Sequence, residues 1–365
     1  MSNVLHSEIE FFSVELWREV FDYFNSNDLW YSFRDLNKRI NTIIDQTMLH
    51  LNFQKQGNYD YCMKNFLPSI NAANIRSLKL EKSNEIKHFF SIYSLNSLIQ
   101  LRLLSLTFMN SFNDNSFQFW NQLSSLKYLQ SLKIMFRGYS GCGYCIEEKE
   151  YIIRSIFNKD FCPLLKSFII EACSRRSWKS TIPSLITTTK ATNIQHVSID
   201  SLAFIDLIKL LPALQNVKSF CSDHELSYDN KQQQNMTITM PLLSKCIRLH
   251  LHLSEDMTFE HVEYLLKHTP NLQDLFLWSW YHLLSAKKWE LILSVQCPKL
   301  LKLALICTGP IGDDYFHQAS NNFQQECATI PFWIERNLTI TADENYSGHD
   351  YRSDIVIRFN IRKLT

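Results

Sequence analysis

The stretch Thr269–Trp280, "TPNLQDLFLWSW", carries large apolar side chains on both faces of one extended segment. Successive side chains of a strand point to opposite faces. Leu275 and Leu277 therefore share one face, and Phe276 and Trp278 share the other. A strand with a single buried face alternates apolar with polar residues. The second set of aromatics needs its own explanation, and that depends on what lies beside the strand.

Working outward, the apolar-x-x-apolar-x-apolar spacing of "LQDLFL" (272–277) recurs along the chain. It appears upstream as "IRSLKL" (75–80), "LRLLSL" (101–106), "LQSLKI" (129–134) and "LKSFII" (165–170). "IQHVSI" (194–199), a degenerate "LQNVKS" (214–219), "CIRLHL" (246–251) and "LLKLAL" (300–305) continue the series. The starts are spaced by about 28 residues on average, with single intervals of roughly 20 to 36, a period that fits irregular leucine-rich repeats. Helical patterns precede the strands. Phe259, Val262, Leu265 and Leu266 fall on one helical face, as do Trp289, Ile292 and Leu293, and Phe204, Leu207, Ile208 and Leu211. Pro270, Pro298 and Pro212 follow these helices and turn the chain toward the next strand. Helix, proline and strand at a repeating period predict an α/β solenoid of parallel strands joined by crossover helices, because no single unit can bury its own apolar face.

Composition narrows the classes of function. Of 365 residues, 45% are hydrophobic and 20% charged, enough for a core and against disorder. Lys and Arg (37) nearly balance Asp and Glu (36), which removes an electrostatic case for nucleic acid or an anionic membrane. Seven glycines leave little material for phosphate-cradling loops. The opening "MSNVLHSEIEFF" lacks a basic region and a long apolar run, and no eighteen-residue apolar stretch follows. With ten cysteines, this predicts reduced thiols in the cytoplasm or nucleus. The sequons at Asn235, Asn337 and Asn345 are then chance matches.

Two strings resemble the cysteine-containing leucine-rich repeats of F-box proteins. In "CPLLKSFIIEAC" (162–173), Cys162, Pro163, Leu165, Phe168, Ile170 and Cys173 follow that pattern. "CPKLLKLALICT" (297–308) departs at its end, with Thr308 in place of Asn or Cys and Cys307 one position early.

Residues 11–45, "FFSVELWREVFDYFNSNDLWYSFRDLNKRINTIID", read as three short helices. Val14, Trp17, Val20, Phe21 and Phe24 form one apolar face, and Asp28 is the expected N-cap of the second helix. Leu29, Phe33, Leu36, Ile40, Ile43 and Ile44 carry the other apolar faces. A segment of this length does not fold alone, so its apolar faces need either the following repeats or a partner. The physics leaves an array cap and a docking module equally open. The segment resembles an F-box, through Phe12, Glu15, Leu16, Val20, Phe21, Tyr23, Phe24, Asp28 and Leu29, with Ser13 in place of the usual proline and Ile40 in place of the usual tryptophan.

The resemblance implies a substrate-recognition subunit of an SCF-type cullin–RING ubiquitin ligase. Phe12, Ser13, Leu16, Val20, Phe21, Leu29, Leu36 and Ile40 would face a Skp-type adaptor, and through it a cullin. It implies F-box helices over 1–45, a linker or N-terminal cap over 46–73, irregular repeats over 74–308 and C-terminal capping strands over 309–365. The alternative is a repeat-based interaction scaffold without a ligase link, its N-terminal helices acting only as a cap.

Catalytic and metal motifs are absent from the sequence: no HExxH, GxSxG or Walker loop occurs. Cys142 and Cys145 have CxxC spacing with no second pair to complete a zinc site. His261 and His268 read as a solvated helical face, and Asp223 with His224 as neighbours in the loop "SDHELSYDNKQQQN". The expectation is no enzyme, no cofactor and no metal.

The opening question then has an answer within a repeat array. Leu275 and Leu277 point into the core, while Phe276 and Trp278 line the opposite wall beside His250, His252, Ala304 and Ile306. Ser77, Lys79, Gln130, Lys133 and Ser198 would make the rest of that wall ordinary solvated surface, and Trp280 would belong to a turn. His250, His252, Phe276, Trp278 and Ile306 are the expected set facing a protein substrate. The competing expectation has the C-terminal strands or the loop "WYHLLSAKK" folding over these aromatics. Ile334, Leu338 and Ile340 are expected to pair as strands with Ile355, Ile357 and Phe359 to close the array.

Overall fold

The computed structural model describes residues 12–24, 26–53, 59–109, 116–137, 144–157, 162–172, 192–200, 202–228, 241–310, 314–347 and 350–360. Cys142, Cys173 and Asn235 lie outside them. The chain divides into two compact units, Met1–Gly138 with Asp160–Leu165, and Tyr139–Lys159 with Lys166–Thr365. Each is mixed α/β and built mostly on parallel strands.

The first unit opens with α1 (Val14–Asp22), α2 (Ser26–Phe33) and α3 (Lys38–Gln46). Strands β1 (Leu49–Asn52), β2 (Ile75–Leu80), β3 (Leu103–Met109) and β4 (Ser131–Arg137) follow, lying parallel in chain order. Between them run α4 (Tyr59–Tyr61), α5 (Ser83–Ile92) and α6 (Ser116–Asn121). β1 was not expected from the sequence: "LHLN" is too short to show a period, yet Leu49 and Leu51 are buried against β2.

The second unit begins with α7 (Tyr144–Ile156), β5 (Ser167–Ala172), β6 (His196–Ile199), β7 (Leu202–Ala203) and α8 (Phe204–Leu210). It continues through β8 (Ser219–Ser227), β9 (Arg248–Leu253), α9 (Phe259–Lys267), β10 (Asp274–Trp280), α10 (Ala286–Gln296) and β11 (Lys302–Pro310). It ends with α11 (Asp314–Thr329), α12 (Pro331–Ile334), β12 (Thr339–Ser347) and β13 (Asp350–Asn360). β5, β6, β8, β9, β10 and β11 are parallel neighbours in that order, with β7 beside β8. β13 joins β11 antiparallel, and β12 joins β13 and ends the sheet as an open edge.

Every string that repeats the "LQDLFL" spacing contains part of a strand, and most of these strands begin two residues in. The residue just before such a strand already bonds to the preceding repeat. Gln273 N–H and Asp274 N–H both donate to Ile247 O at 3.0 Å, and Leu301 and Lys302 N–H both donate to Gln273 O at 2.9 Å. Side chains continue the link: Asn271 Nδ2 donates to Ser244 O (2.6 Å), and Lys299 Nζ donates to Asn271 Oδ1 (2.6 Å). The predicted helical faces are the buried ones: Phe259, Val262, Leu265 and Leu266 in α9, and Trp289, Ile292 and Leu293 in α10. Leu275 and Leu277 of β10 are buried, as are Leu249 and Leu251 of β9 and Leu303 and Leu305 of β11.

Several expectations need correction. Residues 222–227, expected as the start of a loop, belong to strand β8, because Leu226 buries against β9, in register with Leu253. Trp280 is the last residue of β10, in register with Thr308. Ser77 is buried rather than solvated, since its short side chain lies between β1 and β3, at positions paired with His50 and Leu103. Asp28 sits in the first turn of α2, which starts earlier, at Ser26. Ile340 does pair with Ile357, but Ile334 belongs to α12, where Pro331 begins a helical turn that buries Phe332 and Trp333. α11 packs close to β11: a Cβ on Gly309 would lie 2.5 Å from the Cγ of the buried Phe316 ring. No helix among the described residues is long and apolar enough to cross a membrane.

Candidate functional site

The most distinctive surface of the second unit grows from β9, β10 and β11. Parallel register places His250 beside Phe276 and Ala304, and His252 beside Trp278 and Ile306. All five residues expected to face a substrate therefore share one face. The rings touch: His250 and Phe276 lie 3.9 Å apart by centroid, His252 and Trp278 4.9 Å, and His250 and His252 5.5 Å. His250, His252, Phe276 and Ile306 are half-buried, while Trp278 is 37% exposed. The C-terminal strands do not fold over these rings, because β13 joins the sheet edge of β11 instead. In "WYHLLSAKK" the chain turns into α10, with Leu283 buried and His282 Nε2 bonded to Met257 O at 2.7 Å.

Trp278 is held by polar groups that sequence periodicity could not reveal. Its Nε1 donates to Thr308 Oγ1 (2.6 Å), which donates to Asp354 Oδ1 of β13 (2.8 Å). Thr308 and Asp354 are both buried and lie on the same sheet face as Trp278, so the relay fixes the indole from the side. A rigid, partly exposed tryptophan loses little entropy on binding, which suits a contact anchor. The only sequence signal was Thr308 standing where the repeat pattern has Asn or Cys.

The N-terminal helices form a second surface, within the first unit. Trp17 and Phe21 of α1 are buried with Phe33, at ring separations of 5.7 and 5.2 Å, and Ile40, Ile43 and Ile44 of α3 are buried with them. α2 packs onto the following segment: Trp30 meets Phe66 at 4.5 Å, and Ser26 Oγ accepts from His50 N–H at 2.9 Å. Phe21, Leu29 and Ile40, expected to face an adaptor, are thus core, because their helical faces turn toward one another and toward β1. The other face stays open. Leu16 is 40% exposed, Tyr23 90%, Leu36 58% and Phe12 37%, with Val20 half-buried. Leu16, Val20 and Tyr23 follow i, i+4, i+7 and make one stripe on α1. Arg39 donates to Phe12 O (2.7 Å), bringing the start of α3, and Leu36 just before it, up to the start of α1. Ser13 caps α1 by accepting from Leu16 N–H at 3.2 Å. Its own backbone N–H, and then that hydroxyl, hold the Glu15 carboxyl below its ordinary range.

The remaining candidates resolve into structural roles. His261 Nδ1 accepts from Thr258 N–H (3.1 Å) in a capping box at the start of α9, and His268 bonds Tyr264 O (2.8 Å) at its end. Burial pushes the thiols of Cys162, Cys246, Cys297, Cys307 and Cys327 up to about 12 and Cys62 to about 11, so these thiols stay protonated and pack as small apolar groups. No cluster of three or more His, Cys, Asp or Glu side chains suited to a metal ion occurs among the described residues. No family model matches the chain, and no curated protein matches its sequence.

Proposed function

We propose that the chain is a substrate-recognition subunit of an SCF-type ubiquitin ligase. In this reading the strand-and-helix repeats are a leucine-rich-repeat solenoid, and the N-terminal helices over residues 1–45 are an F-box that docks on a Skp-type adaptor. The aromatic face of β9–β11 holds a protein substrate, and the chain itself is not an enzyme and works in the cytoplasm or nucleus. The observation that carries the adaptor half is the stripe Leu16–Val20–Tyr23 with Phe12 and Leu36, apolar and open on a module whose Trp17, Phe21, Leu29, Ile40, Ile43 and Ile44 are already buried. Large apolar side chains grouped on a surface mark a contact site. The docking set is therefore Phe12, Leu16, Val20, Tyr23 and Leu36, with Phe21, Leu29 and Ile40 supporting it from below. Ser13 meets the backbone angle that the family's proline imposes, at φ −62°, and adds a helix cap.

The scaffold alternative draws on the packing of α2 against Phe66 and His50, which is what a cap requires. Co-purification with a Skp-type adaptor separates the two. Leu16→Asp with Leu36→Asp changes only exposed positions, so the ligase reading expects adaptor capture to be lost at an unchanged melting temperature. Capture that survives the double change refutes that docking set. Phe21→Asp is the control: it puts charge into a buried site and should unfold the module, at a cost of several kcal/mol.

A further inference from the structure

At one end of the aromatic face lies a recess of about 440 Å³, lined by Phe276, Ala304, Lys302, Arg358, Thr339 and Asn337. We propose that it binds an acidic protein segment, seating a bulky apolar side chain beside an Asp or Glu carboxylate. The inference rests on the reading of this face as a substrate site and names the class of substrate it takes.

Its geometry follows from a single register row. Phe276 of β10, Ala304 of β11, Arg358 of β13 and Thr339 of β12 are aligned neighbours across four strands. Adjacent strands lie about 4.8 Å apart, so Phe276 and Arg358 flank Ala304 at roughly 10 Å from each other. Alanine is the smallest side chain in that row, and the slot above it has the width of one inserted side chain. Phe276 offers such a group a ring face on one side. Asn337, in the left-handed backbone region at φ 49°, makes the turn into β12 that closes the far wall.

The charge around the slot selects the rest of the ligand. Asp274, which also lines the recess, stands in register between Arg248 and Lys302, and Arg248 already engages it at 3.8 Å. Lys302 and Arg358 are exposed and join no ion pair among the described residues. They are diagonal neighbours across β11 and β13, since Lys302 aligns with Asn360 and Ala304 with Arg358. Diagonal positions sit about 7–8 Å apart, within reach of two long cationic side chains closing on one carboxylate. Three cations against one carboxylate leave this end of the face positive. A segment with an apolar residue next to Asp or Glu satisfies slot and charge together, whereas a basic segment is repelled.

The test is selection from a displayed library of random twelve-residue peptides on the full chain. Two variants are run in parallel, Lys302→Glu with Arg358→Glu, and Ala304→Phe, which plugs the slot. The expected result is enrichment of Phe, Tyr, Trp or Leu adjacent to Asp or Glu. Synthetic peptides of that type should bind the unaltered chain about tenfold or more tightly than either variant, and should lose affinity when the acid is changed to its amide. Melting curves of all three proteins should coincide, because the altered positions are exposed or line open space. No enrichment, enrichment of basic sequences, or equal binding by the variants overturns the proposal. Adaptor capture is scored on the same preparations. Adaptor binding without acidic-peptide binding sinks the recess alone, and the converse sinks the ligase reading alone.

Discussion

Replacing Thr308 by Val tests whether the buried relay beside Trp278 sets the geometry of the aromatic face. Valine keeps the shape of threonine but removes the hydroxyl that accepts from Trp278 Nε1 and donates to Asp354 Oδ1. Loss of a hydrogen bond to a buried carboxylate costs about 1.5–3 kcal/mol. The indole N–H, on a side chain 37% exposed, reaches water and adds only about 0.5 kcal/mol. The extra buried methyl returns about 0.8 kcal/mol. The net loss is about 1.2–2.7 kcal/mol, which in a unit of about 220 residues lowers the melting temperature by roughly 2–11 °C. Thr308→Ser keeps the relay and should fall by no more than a few degrees. With 5-fluorotryptophan incorporated, the Trp278 fluorine resonance, assigned through Trp278→Phe, should be sharp in the native chain and in Thr308→Ser, and broadened in Thr308→Val. Equal melting temperatures and equal line shapes for the Ser and Val variants would refute the relay as the anchor of Trp278.

Two further predictions concern buried charge and protonation in the second unit. Lys149 of α7 and Asp200 are both buried and bonded to each other, and burial holds the Lys149 ammonium below its ordinary range despite the carboxylate. Asp200→Ala should cost about 3–5 kcal/mol in urea melts, while Lys149→Met with Asp200→Leu should cost less than that single change; additive losses would show the pair is not coupled. Burial also depresses the pKa of His261 below 6.5 against the pull of Glu260, so its folded-state contribution is complete above 6.5 and is lost as pH falls through the lower folded value. Protonation removes the Nδ1 acceptor that caps α9, so acidification from pH 7.5 to 5 should cost the native chain about 1 kcal/mol more than His261→Gln; matched pH profiles would contradict this.

Much of the architecture was legible in the sequence because it is written in local periods. The strand positions follow from a motif six residues long, and the buried helical faces from i, i+3, i+4 spacing. The register of His250, Phe276 and Ala304 follows from aligning neighbouring copies of that motif. A period shows which side chains share a face. It does not show what covers the face, and that is where the readings needed correction. Phe21, Leu29 and Ile40 belong to amphipathic helices as expected, but only the packing of the helices on each other and on β1 decides that they point inward while Leu16, Tyr23 and Leu36 point out. β1 itself is too short to carry a period and exists because β2 supplies its hydrogen-bond partners. The decisions furthest from sequence are the pairings of distant residues. Lys149 with Asp200, Thr308 with Asp354, and Arg358 with Ala304 each join separate elements. They come from the way strands line up edge to edge, with β13 set antiparallel on β11, and no window along the chain contains both partners.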